Sequence, residues 1–154
     1  MQAQSGFPPV AELLPHRAPL LLLDSVLAAD EDRIRVAVTV RDQAPFGDGG
    51  GHVPAYVGVE YMAQTACVYS GLELRRQGQP PKIGLLFGVR LYQSEVARFE
   101  DGQHLQVSAQ LILREDSGLA AFKCEIFSDE GASLAQAEIK AFRPDDINEY
   151  LSHA

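Results

Sequence analysis

PAYVGVEYMAQTACVYSGLELRRQ, residues 54–77, is the longest helical candidate in the chain. Pro54 suits a first helical position, where its missing N–H costs nothing. Gly78, Pro80 and Pro81 supply the stop. From Val53 to Leu72 the single charged residue is Glu60. A helix apolar nearly all round belongs inside a fold or a membrane. Glu60, Gln64, Thr65 and Ser70 interrupt the run, and the rest of the chain is soluble in character, so the reading is a helix buried by protein.

Something must cover that helix, and the flanking sequence supplies strands. Upstream, LLLLDSVLAAD (residues 20–30) reads as a buried strand. After the acidic turn Asp30, Glu31, Asp32, residues 33–41 place Ile34, Val36, Val38 and Val40 on one face and Arg33, Arg35, Thr39 and Arg41 on the other. Downstream, residues 82–96, 104–114, 119–128 and 133–142 read as four more strands. Asp101-Gly102, Asp116-Ser117-Gly118 and Asp129-Glu130-Gly131 form the turns between them. Residues 10–14 suggest a short helix stopped by Pro15. The expectation is an α+β fold, one long helix wrapped by an antiparallel sheet of five to six strands. It forms a single domain over residues 10–145, with 1–9 and 146–154 as terminal extensions. Open sheet edges predict a dimer.

The 154-residue length supports one core without disulfide staples. Cys67 and Cys124 lie in apolar runs without metal-ligand spacing, which reads as two reduced thiols in a cytoplasmic protein and no zinc site. No basic start followed by an apolar run marks a signal peptide. A net charge of −8 argues against nucleic acid or anionic membrane as a partner. Arg75, Arg76 and Lys82, followed by Arg90 and Arg98, form a local basic exception. It reads as a solvated helix end or as a contact for an anionic carrier.

Glu60 is the residue that does not fit a core. A buried carboxylate must be paired, hydrogen-bonded or protonated. One poised near neutrality suits general acid–base chemistry; one bonded to backbone or Arg is structural. Gln64, one helical turn on, could orient that carboxyl or a substrate. His52, just before Pro54, is the candidate base, with an exposed loop histidine as the bland reading. His16 reads as a structural hydrogen-bonder. The amides of Tyr56, Val57 and Gly58 could polarise a carbonyl. Gly58 allows close approach of a substrate or a neighbouring chain, or tight packing of helix on sheet. Phe87 and Gly88 are candidate substrate-binding positions, and Tyr61, Phe87 and Leu91 could each line a substrate tunnel or simply pack the core. Residues 42–52 carry Gly47, Gly49, Gly50 and Gly51, a loop that is either mobile or built on unusual dihedrals.

Two segments carry a family resemblance. LLPHRAPLLLLDSVL (13–27) resembles the opening of bacterial 3-hydroxyacyl-[acyl-carrier-protein] dehydratases, and PAYVGVEYMAQTA (54–66) resembles the start of their central helix, Met62-Ala63-Gln64 included. The chain looks closest to the dehydratase-like proteins of aryl-polyene pigment clusters. The resemblance implies a hotdog fold, active sites at a chain interface, and an acyl thioester on the phosphopantetheine of an acyl carrier protein, with no resident cofactor. It implies a His that takes the α proton and a helix acid, on the partner chain, that protonates the departing hydroxyl. Glu60 matches the acid. The matching His position falls at Phe46, which cannot take a proton, and His52 lies only eight residues before Glu60. The leading reading is therefore a dehydratase using Glu60 and His52. The alternatives are a partner subunit of a hetero-oligomeric dehydratase and a hotdog acyl thioesterase.

Overall fold

The computed structural model describes residues 6–82, 84–144 and 147–152. Among the described residues, eight strands and two α-helices run in the order β1 (Ser25–Ala29), β2 (Arg33–Thr39), β3 (His52–Pro54), α1 (Gly58–Arg76), β4 (Leu85–Ser94), β5 (Arg98–Glu100), β6 (His104–Arg114), β7 (Leu119–Ser128), β8 (Ser133–Phe142) and α2 (Ile147–Ser152). Six strands form one sheet, ordered β1-β2-β6-β7-β8-β4, and every neighbouring pair is antiparallel. The α+β expectation holds.

The sheet alternates because the sequence does. Ile34, Val36 and Val38 on β2 and Leu105, Val107 and Ala109 on β6 are at most 1% exposed, while their neighbours face outward. The β1–β2 turn is held by Asp30, whose carboxylate accepts from the Asp32 and Arg33 amides. Helix α1 lies across the inner face of the sheet. Tyr61, Met62, Thr65, Val68 and Tyr69 are buried there, with Tyr61 against Phe99 and Tyr69 edge-on to Phe122. At its end, Gly78 takes φ +74° and Gln79 N–H returns to the Leu74 carbonyl, the stop expected of Gly78.

Three expectations are corrected. The helix does not begin at Pro54. Residues 52–54 are a strand paired with β5, and a 3-10 turn over Ala55–Val57 intervenes before Gly58. The first strand begins at Ser25 rather than at residue 20, because the backbone of Leu20 and Leu22 bonds to a side chain of α1 instead of to a strand. Residues 10–14 make only a 3-10 turn, Val10–Glu12, whose neighbours Leu13 and Leu14 are each 1% exposed. The β3–β5 ribbon and α2 were not anticipated.

The segment preceding β1 is a strap across α1. It crosses at Gly71, where an added Cβ would lie 2.2 Å from the Leu13 carbonyl oxygen. The glycine loop uses unusual dihedrals, φ +86° at Gly49 and +92° at Gly51. The Asp42 carboxylate accepts from both amides, and these bonds, Gly49 first, hold Asp42 below the usual carboxylate range.

Candidate active site

Because α1 starts at Gly58, Glu60 is not a mid-helix carboxylate. It sits in the first turn, and its side chain is 34% exposed. The carboxyl opens into a cavity of ≈130 Å³ between the helix and β4 and β8, lined also by His16, Gln64, Cys67, Leu86 and Ile139.

Gln64 organises this corner. It is 1% exposed, and its amide nitrogen donates to Glu60 Oε2 at 2.9 Å and to the Leu20 carbonyl at 2.7 Å. Its carbonyl accepts from the Leu22 amide at 2.9 Å. One side chain thus contacts the Glu60 carboxyl and ties the strap to the helix through backbone 42 and 44 residues away. Replacement by Leu strands the Leu22 N–H and the Leu20 carbonyl. Urea unfolding should show Gln64→Leu less stable by about 2–3 kcal/mol, and a loss below about 0.5 kcal/mol would contradict this role.

The strap brings His16 to the acid. His16 Nε2 lies 3.9 Å from Glu60 Oε2, too far for a direct hydrogen bond but near enough to share a substrate or water. His16 Nδ1 is buried without a hydrogen-bond partner, alone in this among the described residues. Arg17 braces the turn through the Leu14 and His16 carbonyls. Sequence reasoning read His16 as structural, yet it is the imidazole beside the acid. Periodicity carries no signal for it, since the contact spans 44 residues and depends on the strap folding back.

The remaining candidates scatter. His52 stands half-exposed on β3, in register with Glu100, and does not line the Glu60 cavity. Tyr56 is 73% exposed, whereas Val57 is buried in the core. The Gly58 amide already donates to the Ala55 and Tyr56 carbonyls, so a thioester oxygen would have to compete for it. The close approach at Gly58 is to Tyr92: a Cβ there would meet the Tyr92 hydroxyl at 2.4 Å, and that hydroxyl donates to the Ala55 carbonyl. Gly88 faces open space on β4, and the side chain of Phe87 lies outside the described residues. Leu91 is 74% exposed at φ +56°, beside an irregularity in the β4–β8 pairing.

Tyr61 lines a different cavity of ≈400 Å³ together with Phe46, Thr39 and Arg41; burial pushes its hydroxyl up to about 12. Several of the basic residues are paired: Arg75 with Glu12 at 2.9 Å, Arg90 with Glu138 at 3.5 Å, and Arg98 with Glu100 at 3.1 Å. No helix among the described residues is long and apolar enough to cross a membrane.

This architecture has known relatives. A 3-hydroxyacyl-[acyl-carrier-protein] dehydratase FabZ of Ralstonia nicotianae is 34% identical over 139 residues, covering 84% of this chain and 80% of that protein. The Dehydratase Heterocomplex ApeI:P from Xenorhabdus doucetiae superposes with a TM-score of 0.86 at 28% identity, over 95% of this chain and 97% of the matched one. A hypothetical thioesterase protein with coenzyme A from Streptococcus pneumoniae shares the fold, with a TM-score of 0.57 at 11% identity over 77% of this chain and 84% of that one. The family model for ApeP dehydratases matches residues 8–152. A match over that much of the sequence shows that the chain belongs to the ApeP-like dehydratase family.

Proposed function

We propose that this protein takes part in dehydrating 3-hydroxyacyl thioesters on acyl carrier protein to trans-2-enoyl thioesters, with Glu60 as the acid. The observation that carries this is a carboxyl held by Gln64 at the mouth of a cavity, on the helix of a dehydratase family. A base removes the proton α to the thioester carbonyl. The electron pair forms the double bond and expels the β-hydroxyl, which takes a proton from Glu60 and leaves as water. The phosphopantetheine arm arrives with the substrate, and no resident cofactor enters. A carrier-bound substrate and two unbridged thiols fit a cytoplasmic setting.

His52 is the proposed base. It does not line the Glu60 cavity of its own chain, so in this reading it acts from a second protomer across an interface. A second reading has its own support. Phe46, where the resemblance puts an imidazole, packs against the core, and the similar solved structure is a heterocomplex. There, this chain contributes Glu60 and a different hotdog subunit contributes the histidine.

Turnover of a 3-hydroxyacyl carrier protein separates the two. Activity of the pure chain that falls about a hundredfold or more in His52→Asn supports the homomeric site. Activity that appears only on mixing with a second hotdog subunit, and is indifferent to His52→Asn, supports the heteromeric one. Release of free thiol without an enoyl product would overturn both in favour of a thioesterase.

A further inference from the structure

The two nitrogens of His16 have opposite settings. Nδ1 is buried and makes no hydrogen bond, alone in this among the described residues. Nε2 lies 3.9 Å from Glu60 Oε2, at the cavity of ≈130 Å³ that both side chains line. A bare ring nitrogen tolerates burial without a partner better than an N–H does, because an orphaned donor is the costlier of the two. The ring hydrogen therefore belongs on Nε2, which makes His16 a donor towards Glu60 and the cavity.

That donor is held in place from both sides. Upstream, Leu13 and Leu14 are each 1% exposed, and Arg17 Nη1 donates to the Leu14 carbonyl at 3.0 Å and to the His16 carbonyl at 2.7 Å. Downstream, Gln64 fixes the backbone of Leu20 and Leu22 to α1. The same Gln64 holds the facing Glu60 carboxyl at 2.9 Å. The imidazole and the carboxyl are thus positioned by one framework but do not bond to each other. A gap of this width admits one oxygen about 2.8 Å from both.

We propose that His16 donates a hydrogen bond from Nε2 to the 3-hydroxyl oxygen of the substrate, and that this contact selects 3-hydroxyacyl groups over acyl groups without the hydroxyl. This rests on the dehydration reading above. As the C–O bond breaks, the oxygen takes its proton from Glu60 and leaves as water, while His16 keeps its hydrogen throughout. The oxygen gains negative charge as that bond stretches, so a donor aimed at it is worth more in the transition state than in the ground state. The base that removes the α proton is a separate group. The contact is therefore the same whether that base is His52 of a second protomer or a histidine of a different subunit.

Glutamine and leucine at position 16 separate donation from packing. Glutamine carries an N–H about where Nε2 stands, and leucine carries none. With the full chain in the assembly that is active, His16→Leu should lose about a hundredfold in kcat on a 3-hydroxyacyl carrier protein, with His16→Gln within about tenfold of wild type. His16→Met, equally without a donor, serves should the leucine variant fail to fold. No loss in the donor-free variants, or a loss in His16→Gln as large as theirs, would overturn the donor role.

A binding measurement stands apart from the chemistry. The inert amide analogues of 3-hydroxybutyryl-pantetheine and butyryl-pantetheine differ only in the hydroxyl. Calorimetric titration of the wild type should find the hydroxylated analogue bound about tenfold more tightly, and His16→Gln should keep that ratio. His16→Leu should cut the ratio about fivefold while binding the butyryl analogue as the wild type does. An unchanged ratio in His16→Leu would overturn the contact and leave the dehydration reading standing. Binding of neither analogue by the wild type would sink the dehydration reading, and the contact with it.

Discussion

Glu60→Gln should lower dehydration turnover about a thousandfold while leaving the protein folded. Glutamine has the shape of glutamate but gives up no proton to a departing hydroxyl. Its carbonyl oxygen can still accept from Gln64 Nε2, so the 2.9 Å contact has a substitute and the strap keeps its anchor. The side chain is one-third exposed, which keeps the expected stability change within about 0.5 kcal/mol. The loss should appear in kcat, with KM little changed, because the proton is needed in the transition state and not for binding. Turnover equal to wild type, on any carrier-bound 3-hydroxyacyl substrate, would remove Glu60 from the chemistry.

Gly71→Ala should lower stability although it adds a single methyl group. The new Cβ would sit 2.2 Å from the Leu13 carbonyl oxygen and 3.0 Å from its carbon, and backbone atoms cannot swing aside as a side-chain tip can. Alanine gains about 1 kcal/mol over glycine inside a helix. Forcing α1 away from the strap, where Leu13 and Leu14 are almost fully buried, costs about 3 kcal/mol and outweighs that gain. The net should lower Tm by roughly 4–8 °C, read by calorimetry or circular dichroism. An unchanged or raised Tm would show that the strap is not packed on Gly71.

The parts of the fold that were legible in the sequence are those whose signals are local. The strands at 104–114, 119–128 and 133–142 were expected with the bounds they have, because alternation and Asp/Gly turns report on neighbouring residues. The start of the first strand was not legible, because the partner of Leu22 is Gln64, 42 residues away. The start of α1 was misplaced for a related reason. Pro54 is equally at home opening a helix or ending a short strand, and only the pairing of Val53 with Phe99 shows which. In the site, Glu60 and Gln64 stood out as polar residues in an apolar run. His16 did not, since a histidine in a proline-rich turn looks like any other until the turn is folded onto the helix.

The double duty of Gln64 has a consequence for how the protein fails. The same amide that aims the acid is fastened to the strap at Leu20 and Leu22, and the strap also carries His16. The strap adds no strand to the six-stranded sheet, so its release would break none of the sheet's ladders. Detachment would leave a folded sheet packed on a helix whose acid has lost its aim. Turnover should therefore be lost on warming before the circular dichroism of sheet and helix changes, and coincident transitions would contradict this.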